Sequence, residues 1–137
     1  MANHVTYKRG NGDLVTLRLT AGRAIDLEDR LGYGINEGVG KLDILKVSVE
    51  FLTAAITEGS YSERKETAIA IFDEMVADGK DFNDYEFLVM DMLVAAGFLR
   101  GEVVELQKMT DRKMKEKASE VLLNTSNTSS PEQSPQE

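Results

Sequence analysis

Four stretches of apolar residues at helical spacing, each closed by a glycine, constrain this chain more than any other feature. Ala24, Leu27 and Leu31 precede Gly32, and Leu42, Leu45, Val49, Leu52 and Ile56 precede Gly59. Ala68, Ile71, Phe72 and Met75 precede Gly79, and Tyr85, Leu88, Val89, Met92 and Ala96 precede Gly97. Apolar residues three and four apart share one face of a helix, and glycine takes the left-handed conformation that ends one. The starts are marked too. Thr20 is an N-cap, and Ser60-Tyr61-Ser62-Glu63 offers either a capping box between Ser60 and Glu63 or a simple cap at Ser62. Asp81 or Asn83 can begin the fourth helix. The spacing predicts helices over 20–31, 42–58, a third ending near Asp78, and a fourth ending at Ala96. Their stripes must bury against one another.

Two β-prone runs precede the helices. Val5 and Tyr7 alternate with polar neighbours in His4 to Lys8, and Val15, Leu17 and Leu19 alternate with Thr16 and Arg18 in Leu14 to Leu19. Arg9-Gly10-Asn11-Gly12-Asp13 separates them, and its Asn-Gly pair accepts positive φ, so the pair reads as a hairpin. A lone hairpin is marginal in water and must lay one face on the helices. Residues 32–41 hold four of the eleven glycines and read as a mobile or special-dihedral loop. A fifth helix, Glu102 to Leu123, is more charged: Val103, Leu106, Thr110, Met114 and Val121 form a thin stripe, suited to a helix that stands away from the core or packs on another chain. Asn124 to Glu137 has no aromatic and no cation, contains both prolines, and reads as a disordered polar tail. With 137 residues and 42% apolar content there is material for one core. The expected fold is α+β and mainly helical: an N-terminal hairpin packed on four to five helices in a single domain over 1–123, with a tail over 124–137.

Charge and motif content narrow the function. The net charge is −8, which argues against a generic nucleic-acid binder, since such affinity comes from cations that neutralise phosphates. There is no cysteine, so disulfides, thiolate metal sites and cysteine nucleophiles are excluded. No apolar run reaches signal-peptide or membrane-spanning length, and without a secretory signal the two sequons at Asn124 and Asn127 read as plain polar tail. Gly40-Lys41 fails as a phosphate loop, because Ile35 stands where the first glycine belongs and Leu42 where a magnesium-binding hydroxyl belongs. A dinucleotide fingerprint from Gly32 and Gly34 fails at Glu37. A calcium loop begun at Asp81 meets Tyr85 at a ligand position and Glu86 where the turn glycine is required. His4, the single imidazole, has no neighbouring nucleophile in sequence. No cofactor, metal site or catalytic residue is expected.

Between Ser60 and Arg100 nine carboxylates face four cations, so the acidity is concentrated on one helical segment. Such a face reads as solvated and available to steer a basic partner. The basic stretch Lys108, Arg112, Lys113, Lys115 and Lys117 is interleaved with acids and lacks alternating aromatics, which favours a solvated helix over a nucleic-acid site. Phe82, Tyr85, Phe87, Phe98 and Leu99 make the densest aromatic segment, and Phe87 lies on a different helix face from Tyr85 and Leu88. One face of that helix is therefore a candidate for burial against another subunit or an apolar partner.

The order of pieces resembles the tail assembly chaperones of long-tailed phages, in particular those infecting Gram-positive bacteria. The resemblance covers roughly Thr6 to Leu99. It rests on the hairpin ending Leu17-Arg18-Leu19-Thr20, the helix Ala24-Ile25-Asp26-Leu27-Glu28-Asp29-Arg30-Leu31-Gly32, the helix ending Phe51-Leu52-Thr53-Ala54-Ala55-Ile56, and the acidic helix pair through Phe98-Leu99. It implies a non-enzymatic protein of the host bacterial cytoplasm, absent from the mature virion, that binds the tape measure protein and self-associates around it until the tail tube protein polymerises. Many such proteins also occur in a longer, frameshifted form. Phe82, Phe87, Phe98 and Leu99 are the expected partner-binding residues; no nucleic acid and no membrane is expected as partner. The competing readings are a structural connector or minor tail protein of the virion, and an acidic protein-binding regulator.

Overall fold

In the computed structural model of the chain, residues 3–132 are described, with side chains described for residues 3–118. The chain divides into two compact units, Met1–Gly101 and Glu102–Glu137.

The first unit opens with strands β1 (Val5–Lys8) and β2 (Leu14–Leu17), antiparallel with Val5 opposite Leu17 and Tyr7 opposite Val15. Strand alternation puts these four on one face: Leu17 is fully buried, and Val5, Tyr7 and Val15 are half-buried against the core. In the connecting turn Gly12 alone has positive φ, at 94°, while the Asn11 side chain accepts from the Asp13 amide. The second strand is shorter than expected because Thr20 already caps the next helix; Leu19 lies beyond it and is still buried.

Helix α1 (Ala21–Leu31) has the predicted ends: the Thr20 hydroxyl accepts from the Arg23 amide and Gly32 is left-handed. The glycine-rich stretch departs from expectation, because it contains a short helix, α2 (Ile35–Val39). Glu28 Oε2 accepts from the Ile35 amide at 2.9 Å, and Ile35 and Leu42 are buried on either side, so the segment is anchored at both ends. Helix α3 (Leu45–Ala55) is shorter than the predicted 42–58. Its amphipathic reading is also corrected. Residues 47–55 are all buried, whereas Leu45, counted as inward, is 43% exposed. Such a helix is surrounded rather than laid on a surface.

Beyond α3 the chain turns extended and completes the hairpin from its other side. Ile56 bridges Leu17, the Arg18 amide donates to Ala55 O at 2.8 Å, and the Thr57 amide to Thr16 O at 3.3 Å. Buried strand edges need such partners. This competition for backbone groups ends α3 before Glu58.

Helices α4 (Tyr61–Ala77) and α5 (Phe82–Ala96) follow the sequence closely. Both start with a capping box, Ser60 with Glu63 and Asp81 with Asp84. Three of the nine carboxylates of the acidic segment are thus spent on helix starts. Ala68, Ile71 and Met75 of α4 are buried, with Tyr85, Val89, Met92 and Leu93 of α5. Phe72 packs edge-on against both Phe82 and Tyr85, at ring separations of 6.0 and 5.1 Å. The buried Tyr85 hydroxyl donates to Ala68 O at 2.8 Å, and burial pushes its pKa up. Tyr85→Phe removes this second donor from a carbonyl that keeps its helical one, and should cost about 1 kcal/mol in urea unfolding; an unchanged midpoint would show that the bond adds nothing net.

Glu74 of α4 ties down the hairpin turn. It accepts from Arg9 Nη2 at 2.6 Å, and the Arg9 hydrogen bond holds its carboxyl below the ordinary 4.5. A depressed folded-state pKa adds stability that is present above the unfolded value and is lost as pH falls through the folded one. The stability gap between the wild type and Glu74→Gln should therefore be full at pH 7 and close progressively below about 4.5, read from urea midpoints across that range. A gap that does not depend on pH would contradict the ionic account.

Helix α6 (Gly101–Glu132) starts at the last residue of the first unit and continues into the second. It runs past the predicted end at Leu123, since no glycine follows Gly101 and the first proline is Pro131. The expected tail over 124–137 thus overlaps helical backbone as far as Glu132, and residues 133–137 lie outside the described residues. Among the described residues no helix is long and apolar enough to cross a membrane. The architecture is the expected mainly helical α+β arrangement, with six helices among the described residues.

Candidate functional site

The most heavily built polar constellation surrounds the C-terminal end of α3. A helix end leaves carbonyls without donors and carries partial negative charge, so cations gather there. Arg23 of α1 donates from Nη1 to Ala54 O at 3.1 Å and Ile56 O at 2.9 Å, and from Nη2 to Thr57 O at 3.4 Å. Arg64 of α4 donates from Nη1 to Thr53 O at 2.6 Å and from Nε to Gly59 O at 3.1 Å. Neither residue was singled out in the sequence, because their targets are backbone groups 31 to 34 residues from Arg23 and 5 to 11 from Arg64.

Tyr61, the first residue of α4, organises the rest. Its ring carries the Arg30 guanidinium at 3.4 Å from the centroid, with the Arg64 guanidinium carbon at 6.0 Å. Its hydroxyl donates toward Glu50, at 2.8 Å from Oε2, and Lys65 Nζ donates to the same oxygen at 3.2 Å. Glu50 is a buried acid on α3, and these two partners compensate its desolvation. Arg23, Arg30 and Arg64, with Asp26 on the rim, line a small cleft of about 30 Å³ that opens to solvent. Burial, and then the neighbouring Arg23 and Arg30 charges, press the Arg64 guanidinium below its ordinary value.

The four residues expected to bind a partner are placed differently from one another. Phe82, Phe98 and Leu99 are half-buried and pack against the core, Phe82 through Phe72. Phe87 is half-buried. The large exposed apolar side chains lie elsewhere: Leu14, Ile25, Ile44, Leu45, Ile69 and Val76 in the first unit, and Val103, Leu106, Met109 and Met114 on α6. Val103, Leu106 and Met114 belong to the thin stripe legible in the sequence, and they are 49%, 64% and 66% exposed. Among residues 101–118 of α6 all are exposed except Gly101, Val104, Lys108 and Asp111, of which Val104 is buried. His4 is exposed, and among the described residues no group of three or more His, Asp or Glu is placed to hold a metal ion.

Compared with known families, curated proteins and solved structures, the chain matches no family model, no curated protein and no solved structure.

Proposed function

We propose that this protein is a non-enzymatic partner-binding protein of the tail assembly chaperone kind, which covers apolar helical surface on a tape measure protein in the host cytoplasm and self-associates around it. The observation that carries this reading is the exposed apolar stripe of α6, with Val103, Leu106 and Met114 each about half exposed or more. Exposed apolar side chains spaced along one helix favour an amphipathic helical partner. The net charge of −8 supports the same reading, because coating an apolar chain with acidic subunits keeps the assembly dispersed.

Co-expression with a tape measure protein tests it directly. The wild type should hold that protein in the soluble fraction and co-purify with it. Leu106→Glu with Met114→Glu should lower capture at least about tenfold while leaving the helical circular dichroism unchanged, since each loses roughly 1.5 kcal/mol or more of burial on binding. Undiminished capture would remove α6 from the interface, and failure of the wild type to alter solubility would overturn the chaperone reading. Mass spectrometry of purified particles should find the protein missing; its presence would replace the chaperone with a connector or minor tail protein.

A further inference from the structure

From the arrangement around Tyr61 we infer that the cleft between α1 and α4 is an oxyanion-binding site, taking the carboxylate or phosphoryl group of a ligand between the guanidinium groups of Arg30, Arg64 and Arg23. This goes beyond the function proposed above and does not depend on it.

Several features carry the inference. An arginine offers five N–H donors. Arg23 and Arg64 spend only part of theirs on the carbonyls at the end of α3, and that same bonding fixes both guanidinium planes. Among the described residues Arg30 makes no hydrogen bond to the protein; its guanidinium carbon lies 3.4 Å from the centroid of the Tyr61 ring, and its N–H groups have no acceptor on the protein. A stacked, planar guanidinium is the geometry in which arginine grips a carboxylate or phosphate with two parallel bonds. The only acid lining the cleft, Asp26, is exposed and makes no ion pair with any of the three among the described residues, so the lining keeps a surplus of two positive charges.

Capping alone accounts for Arg23 and Arg64 and leaves Arg30 without a purpose. Three like charges around one small opening repel one another, and an anion relieves that repulsion. The cleft is small, about 30 Å³, far below the roughly 300–1,000 Å³ of ordinary ligand pockets. It can take one oxyanion group at its mouth, with the rest of the ligand left outside. Because Arg30 is an exposed residue, the cleft is reachable by a small ion or by an acidic side chain of a partner.

The full chain, labelled with nitrogen-15, would be titrated with sodium phosphate and separately with sodium acetate, following the arginine Nε–H resonances, with sodium chloride at matched ionic strength as control. Saturable shifts of Arg30 and Arg64 with either anion and not with chloride are expected. Saturation by phosphate alone assigns a phosphoryl ligand; saturation by acetate as well assigns a carboxylate. Arg30→Gln, which removes no cap from α3, should weaken binding about tenfold, and Arg30→Lys, which keeps the charge and loses the fork, should recover only part of it. Shifts that never saturate, that match the chloride control, or that persist unchanged in Arg30→Gln would overturn the site.

Discussion

Phe51→Ala should destabilise the protein by roughly 3–5 kcal/mol, read as a fall in urea midpoint, because a large aromatic ring is removed from a site with no room to collapse. Phe51 is completely buried at the middle of α3, the helix around which the first unit is built. A loss below about 1 kcal/mol would mean that neighbouring side chains repack into the space, against the close packing of the site. The ring also explains one glycine. A Cβ added to Gly38 of α2 would sit 2.8 and 2.9 Å from two carbons of the Phe51 ring, closer than atoms approach without displacement. Gly38→Ala should therefore cost roughly 1–3 kcal/mol in the wild type. In the Phe51→Ala background that obstruction is gone and the nearest remaining neighbour is Leu31 Cδ1 at 3.3 Å, so the same change should cost much less. That non-additivity is the decisive measurement, since two independent effects would simply sum.

The second large effect is expected at Arg64. Arg64→Ala withdraws the donors of Thr53 O and Gly59 O together, and should cost about 1.5–3 kcal/mol, because hydrogen bonds from a charged donor are strong and a buried acceptor left bare keeps its desolvation penalty. Arg64→Lys should recover only part of this. A lysine ammonium preserves the charge at the helix end but lacks the fixed fork that reaches two carbonyls at once. Full recovery by lysine would show that charge at the end of α3 matters and hydrogen-bond geometry does not. These costs are also why Arg30, which caps nothing, is the residue on which to test anion binding.

The helix starts and stops were largely legible because their causes are local. Thr20, Ser60 with Glu63, and Asp81 with Asp84 act on amides three residues away, and Gly32 and Gly97 take their left-handed conformations beside the turn they close. Strand alternation placed Val15 and Leu17 inward for the same reason. Where the reading missed, a distant group intervened. The end of α3 is set by β2, through Leu17 and Ile56, some forty residues apart in the chain. The glycine-rich stretch folds as α2 because Glu28 and Phe51 reach it from other helices. Of the expected contact residues, Phe82, Phe98 and Leu99 pack against the core, because a periodic pattern does not say how many neighbours surround a helix.

The sequence by itself determined that the chain is acidic, mainly helical and opened by a hairpin, and it marked the apolar stripe of α6. Periodicity, capping and charge act over a few residues and are written in order along the chain. Only the tertiary structure decided that α3 is the buried centre, that Glu50 sits beneath Tyr61 and Lys65, and that Arg23, Arg30 and Arg64 face one cleft. These depend on which helices become neighbours. The neighbours are chosen by burial of side chains far apart in sequence, and no local spacing encodes that choice.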